Sequence, residues 1–168
     1  MNLNSLDDWL DFIDLNRPRE DEFGLNRLRP ITDIIFQSTI AEKIVVIGGT
    51  NGKGTTAEVL NNLLQESNFK IGLYTSPHLF KFNERIRING VPVSNSEIID
   101  AFEEVKNLKN DTRLTYFDYA TLAAFIIFAK NNLDVAILEI GLGGRYDPVN
   151  LVDPDISILT NVELDHQK

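Results

Sequence analysis

Residues 44–56, Ile44-Val-Val-Ile-Gly-Gly-Thr-Asn-Gly-Lys-Gly-Thr-Thr56, constrain this chain more than any other stretch. A β-branched apolar run ends in a glycine-rich turn carrying Lys53 and threonines, and an amphipathic stretch follows that reads as a helix. Strand, turn and helix in that order gather backbone N–H groups, a helix N-terminus and one ammonium around a single point. Such a point suits the phosphates of a nucleotide. The spacing departs from the common phosphate-loop pattern G-x-x-x-x-G-K-[ST], because Ile47 stands where the first glycine belongs and Gly54 replaces the hydroxyl after Lys53. A plain β–α turn with a solvated lysine is the competing reading, and the strand–loop–helix context favours phosphate binding.

At 168 residues the chain is the size of one ordinary domain. Its 25 acidic and 16 basic residues give a net charge of −9, with no basic block able to track a nucleic-acid backbone. The lack of cysteine excludes disulfides and thiolate metal sites and is compatible with a reducing compartment. No apolar stretch approaches the roughly 20 residues that span a bilayer, and residues 2–15 are acidic rather than signal-like. These features describe a soluble, intracellular protein with neither nucleic acid nor membrane as partner; a cytoplasmic monomer acting on small molecules is the expectation. Residues 155–160 read as a buried strand with no covering helix after it, which predicts a truncated, N-terminal piece of a longer protein.

Apolar positions 6, 9, 10 and 13, with Ser5 as cap and acidic residues behind it, predict a first helix over 5–15. A second helical pattern runs over 25–36, with Pro30 expected to kink or break it. Strand 43–47, a helix over 55–68 with Ala57, Val59, Leu60, Leu63 and Leu64 on or near its buried side, and strand 70–75 form a right-handed βαβ unit. Residues 85–93 alternate around Asn89-Gly90, a hairpin signal. Helices over 96–108 (capped by Ser94 or Ser96) and 117–131, a strand over 134–140, a glycine-rich loop over 141–150 and the last strand complete the chain. The fold class is α/β, a mostly parallel sheet flanked by helices with a small hairpin, and ligands are expected at the carboxyl ends of the strands. It divides into a helical segment, 1–42, and an incomplete phosphate-loop domain, 43–168.

Lys53 is the first candidate, with the amides of residues 51–55 against phosphate oxygens. Glu139 ends an apolar strand, where a carboxylate needs a cation; Mg²⁺ and a neighbour such as Arg145 compete for that role. His166 and His78 read more readily as ordinary polar residues than as ligands, and Asp165 is placed to orient His166. Arg145, in the Gly141-Leu-Gly-Gly-Arg145 turn, could hold a carboxylate or phosphate or simply face solvent.

Six motifs occur in one order: Gly49-Thr-Asn-Gly-Lys-Gly-Thr-Thr56, Tyr74-Thr-Ser-Pro-His-Leu79, Phe82-Asn-Glu-Arg-Ile86, Thr115-Tyr-Phe-Asp118, Leu138-Glu-Ile-Gly-Leu-Gly-Gly-Arg145 and Leu164-Asp-His166. The ordered set resembles the N-terminal part of the folylpolyglutamate synthase/dihydrofolate synthase branch of the Mur ligase superfamily, over most of residues 25–168. The resemblance implies a P-loop NTPase-like central ATPase domain. It implies ATP on Thr50, Asn51, Gly52, Lys53, Gly54, Thr55 and Thr56, and Mg²⁺ beside the phosphates on Ser76, Glu139 and His166. Lys53, Glu139 and His166 are then the residues of the chemistry, and Thr115, Phe117, Arg145, Asp147 and Pro148 face the pterin or folate. The segment from Ser76 to Ile86 resembles the family's mobile loop near the folate site.

The implied activity joins glutamate to a pteroate or folate carboxylate through an acyl phosphate, with dihydropteroate or a reduced folate and L-glutamate as substrates. The family usually has Asp-Ala-Thr-Asn where this chain has Asp147-Pro-Val-Asn150, a change that removes a hydroxyl and stiffens the turn. The family also continues to a lysine assisting a second metal and to a C-terminal ligase domain, so the fragment alone is expected to be inactive. Another Mur-type amino-acid ligase and a non-catalytic nucleotide-binding module are the rival readings.

Overall fold

The computed structural model describes residues 3–16, 24–142 and 144–163. Its elements are α1 (Leu6–Leu15), α2 (Arg29–Ile35), β1 (Lys43–Gly48), α3 (Lys53–Glu66), β2 (Ile71–Tyr74), β3 (Ile86–Ile88), β4 (Val91–Pro92), α4 (Asn95–Leu108), α5 (Tyr116–Ala129), β5 (Val135–Glu139) and β6 (Ile156–Leu159).

Local chemistry places most boundaries. Ser5 caps α1, its Oγ accepting from Asp8 N–H at 3.1 Å while the Asp8 carboxylate accepts from Ser5 N–H at 2.9 Å. Reciprocal boxes of the same kind start α4 (Ser94 with Glu97) and α5 (Thr115 with Asp118). Ser94, not Ser96, is therefore the α4 cap. The 25–36 pattern is interrupted next to Pro30, as expected, and the helix proper starts only at Arg29. Pro30 sits in the first turn of α2, where a missing N–H costs nothing, and a short 3₁₀ turn (Leu25–Arg27) precedes it. Asn89 (φ 49°) and Gly90 (φ 76°) both take the left-handed conformation that a two-residue hairpin demands, and β3 pairs with β4 antiparallel.

The sheet order is β4-β3-β2-β5-β1-β6. β1, β2, β5 and β6 run parallel, and the hairpin adds two antiparallel strands beside β2. β1 and β2, consecutive in sequence, do not touch: β5 lies between them, with Lys43 to Ile47 of β1 opposite Val135 to Glu139. Every residue of β5 is buried, as its unbroken apolar run predicts.

Two cores flank the sheet. The larger joins α1, α2, α4 and α5 through Trp9, Ile13, Ile31, Phe102, Phe125 and Phe128. α5 is apolar all round and is buried from Asp118 to Phe128. The smaller core packs Ala57 of α3, with Leu60 and Leu64, on Val45, Ile47, Leu73 and Ile137. Two burial expectations fail. Val59 and Leu63 are exposed, because the buried strip of α3 runs through 57, 60, 61 and 64, and among the described residues no element packs on the adjoining side. The last strand is not buried either. β6 is outermost in the sheet, and Ile156 and Leu159 are 54% and 67% exposed.

Gly72 of β2 lies close against α5 and the loop after it: a Cβ there would stand 2.4 Å from Leu133 Cδ1 and 2.9 Å from Phe128 Cε1. Gly72→Ala is expected to lower stability by about 1–3 kcal/mol by forcing these side chains apart. A urea unfolding midpoint equal to wild type would contradict that packing.

Candidate functional site

The carboxyl ends of β1, β2, β5 and β6 lie along one edge of the sheet, and the connections leaving them carry the candidate residues. After β1 the chain turns through residues 49–52, where Gly49 (φ 132°) and Gly52 (φ 81°) adopt conformations that favour glycine. Gly52 is the N-cap of α3, and the first helical bond is Thr56 N–H to Gly52 O at 2.9 Å. The amides of Lys53, Gly54 and Thr55 therefore have no intrahelical acceptor and stand at the positive end of a 14-residue helix. Lys53 Nζ curls back over this turn, donating to the carbonyls of Gly49 (2.8 Å) and Thr50 (3.2 Å). Thr56 Oγ1 donates to the Gly52 carbonyl at 2.8 Å. Donors and ammonium thus lie together at the start of α3, but Asn51 N–H, one of the amides expected at the phosphates, is bonded to Asn161 Oδ1 at 2.8 Å.

Glu139 ends β5 beside the start of α3. It is 4% exposed, and a Cβ on Gly54 would lie 3.7 Å from each of its carboxylate oxygens. Oε2 accepts from Ser76 N–H at 3.0 Å, which ties the end of β2 to the end of β5. Burial pushes the Glu139 carboxyl above the ordinary glutamate range. The Ser76 bond and the Lys53 charge pull it down, and Asp147 and Glu58 push it up. Among the described residues it makes no ion pair, and exposed Arg145 does not supply one. A buried carboxylate with both oxygens close to Gly54 of the phosphate loop fits a divalent cation's preference for carboxylate and phosphate oxygens. No group of three or more His, Asp or Glu side chains placed to hold a metal ion occurs among the described residues, and His166 and Asp165 lie outside them.

A cavity of about 550 Å³ opens beside this edge, lined by Thr115, Phe117, Asp147 and Pro148 together with Arg27, Asp118 and Tyr146. Arg145, although adjacent to Tyr146 in the chain, is not in the lining. Asp147 is buried and organises the wall. Oδ2 accepts from the N–H groups of Gly141 (2.8 Å) and Leu142 (3.0 Å), and Oδ1 from Val149 (2.9 Å). Burial still leaves its carboxyl above the ordinary aspartate range, against those three bonds. Gly141 is required where β5 exits, since a Cβ would come within 2.3 Å of Phe117 Cζ and 2.9 Å of Ser76 Oγ.

Some contributors escape sequence reading. Arg27 reaches from the turn before α2 to Asp118 Oδ2 at 2.6 Å and to the Arg113 carbonyl at 2.9 Å, closing one side of the cavity. The Thr-x-x-Asp spacing signals a helix cap but not this long-range partner. Arg85 is buried over the rings of Phe82 and Tyr116, and its Nε donates to His78 Nδ1 at 2.8 Å. Burial and that guanidinium hold His78 below the ordinary histidine value, and its Nδ1 serves as the acceptor of the Arg85 bond. Glu84 gathers the N–H groups of Leu79, Phe80 and Lys81, leaving Leu79 and Phe80 exposed at the tip of the loop.

The sequence pattern of the Mur ligase middle domain matches residues 47–167. The chain belongs to this family. Its phosphate-loop turn, Glu139 and the described segment after β6 all fall within the matched Mur ligase region. The dihydrofolate synthase/folylpolyglutamate synthase of Buchnera aphidicola subsp. Baizongia pistaciae is 43% identical over 98% of this chain and 38% of its own length. E. coli FolC in complex with DHPP and ADP superposes with a TM-score of 0.92 at 37% identity, over 97% of this chain and 39% of that one. A bifunctional folylpolyglutamate synthase/dihydrofolate synthase with Mn, AMPPNP and L-glutamate bound gives 0.92 at 38% identity, over 98% and 40%. The chain thus spans about two-fifths of the relatives it matches. The mostly parallel sheet flanked by helices is that of this family, as expected. No helix among the described residues is long and apolar enough to cross a membrane.

Proposed function

We propose that the chain is the ATP-binding portion of a cytoplasmic, monomeric ligase that joins L-glutamate to the carboxylate of dihydropteroate or a reduced folate. The observation that carries the reading is the convergence, at one sheet edge, of the α3 amides, Lys53 and the buried Glu139 carboxylate next to a cavity lined by Thr115, Phe117, Asp147 and Pro148. The similarity to proteins solved with ADP, AMPPNP, Mn, DHPP and L-glutamate supports it. Residues 43–168 would form the phosphate-loop domain, with 1–42 as a helical segment packed on its larger core.

In this reading residues 50–56 cradle the ATP phosphates. The γ-phosphoryl group passes to the acceptor carboxylate, breaking its bond to ADP and forming an acyl phosphate. The glutamate amine then attacks the acyl carbon, phosphate leaves with the bonding electrons, and an amide forms as the amine releases a proton. Lys53 and the amides of residues 52–55 stabilise charge spread over the transferring oxygens, and no side chain need act as nucleophile. Glu139 and Ser76, with His166, would hold Mg²⁺, which supplies further charge neutralisation at the phosphates. Phe117 and Pro148 offer apolar contact to a flat heterocycle, Asp147 a buried acceptor, and Arg145 a cation at the rim.

ADP release by the full-length protein with Mg-ATP and glutamate tests this. Turnover is expected only when dihydropteroate or tetrahydrofolate is added, and the preferred acceptor names the step. No turnover with either, despite tight Mg-ATP binding, would overturn the folate reading.

A further inference from the structure

The phosphate loop is held from outside itself. Thr50 N–H donates to the Asn161 carbonyl at 2.9 Å and Asn51 N–H to Asn161 Oδ1 at 2.8 Å. Asn161 Nδ2 donates to Glu163 Oε1 at 3.1 Å, which leaves its Oδ1 turned to the loop. Thr160 Oγ1 donates to the Asn51 carbonyl at 2.7 Å. Thr50 Oγ1 donates to the Glu163 carbonyl (3.2 Å) and accepts from Glu163 N–H (3.0 Å). The fit is close: a Cβ on Gly49 would stand 2.1 Å from Thr160 Oγ1 and 2.9 Å from the Asn161 carbonyl.

We propose that Asn161 and Thr160 are positioning residues for phosphate binding, holding residues 49–51 so that the amides of residues 52–55 and the Lys53 ammonium face the ligand. The proposal rests on the phosphate-binding reading given above. A turn with Gly49 and Gly52 at positive φ is permissive by composition, and a permissive loop loses entropy when a ligand orders it unless it is ordered beforehand. Within the turn, Lys53 Nζ bonds the carbonyls of residues 49 and 50, so any shift of these residues carries the ammonium with it. The bonds from the segment after β6 fix residues 50 and 51 directly. They also assign Asn51 N–H to the scaffold rather than to the phosphates.

The test uses Asn161→Ala and Thr160→Val in the full-length protein, with calorimetric titration of Mg-ATP and, separately, of adenosine, which lacks phosphates. Each variant is expected to bind Mg-ATP roughly five- to twentyfold more weakly, the loss of about one hydrogen bond, and adenosine as wild type does. The Asn51 amide is expected to exchange with deuterium faster in Asn161→Ala. Thr160→Val keeps the branched shape and decides the matter if Asn161→Ala does not fold. Unchanged Mg-ATP affinity, or equal weakening of Mg-ATP and adenosine, overturns the positioning role. A wild-type protein that binds no Mg-ATP overturns the nucleotide reading itself.

Discussion

Lys53→Ala in the full-length protein is expected to lower kcat/KM for ATP by about 10³-fold or more, with the fold intact. Removing a single preorganised donor from a site of developing charge typically costs about 10²–10³ in rate, and a phosphate-binding ammonium adds a full charge to that role. The structural loss is small by comparison. In the ligand-free protein Lys53 Nζ makes two bonds to loop carbonyls, at 2.8 and 3.2 Å, each worth about 1 kcal/mol. The lysine lies at the start of α3, away from the apolar strip through Ala57, Leu60 and Leu64 that packs on the sheet. Steady-state ADP release and a thermal midpoint separate the two effects. Activity within a few-fold of wild type would remove Lys53 from the phosphates.

Glu139→Gln is expected to move activity and stability in opposite directions. Loss of the carboxylate should abolish the response of activity to Mg²⁺ over the range where wild type saturates. An unchanged Mg²⁺ titration would take Glu139 out of the metal site. For the ligand-free protein the sign runs the other way. Burial raises the Glu139 carboxyl above its unfolded value, so between the two values the folded state binds more protons than the unfolded one, and stability falls as pH rises through that window. The penalty is absent below the unfolded value and complete above the folded one. Glutamine has almost the same shape and no charge, so the variant should be at least as stable as wild type at neutral pH and lose its advantage in acid. Urea midpoints at pH 7 and pH 4 measure this; a variant less stable than wild type at pH 7, with the deficit fading at pH 4, would mean that the ionised form is the one the fold prefers. Lys53 lies close enough to offset part of the penalty, so in Lys53→Ala the Glu139 carboxyl should shift further upward.

Much of the molecule is legible from local chemistry. The boxes Ser5 with Asp8, Ser94 with Glu97 and Thr115 with Asp118 each start a helix where the spacing places it. Asn89-Gly90 makes its turn because both residues tolerate positive φ. β5 reads as a central strand because both its faces are apolar. The misreadings concern burial on one side of an element. Val59 and Leu63 look identical to Leu60 and Leu64 in composition, and only the sheet face covered by α3 tells them apart. The strand at 156–159 has the apolar residues of an interior strand and stands at the edge.

The sequence by itself determined the strand–turn–helix that makes a phosphate loop, the residues in it and the order of the motifs around it. These depend on interactions within a few residues, where capping geometry, glycine conformations and side-chain period act without reference to the rest of the chain. Only the tertiary structure decided that β5 lies between β1 and β2, which sets Glu139 beside the start of α3 and under the Ser76 amide. It also decided that Arg27 meets Asp118 across 91 positions and that Asn161 meets Asn51 across 110. Contacts at such separations leave no periodicity in the sequence. They are set by strand order and packing, which bring together residues whose spacing along the chain carries no information about their distance in space.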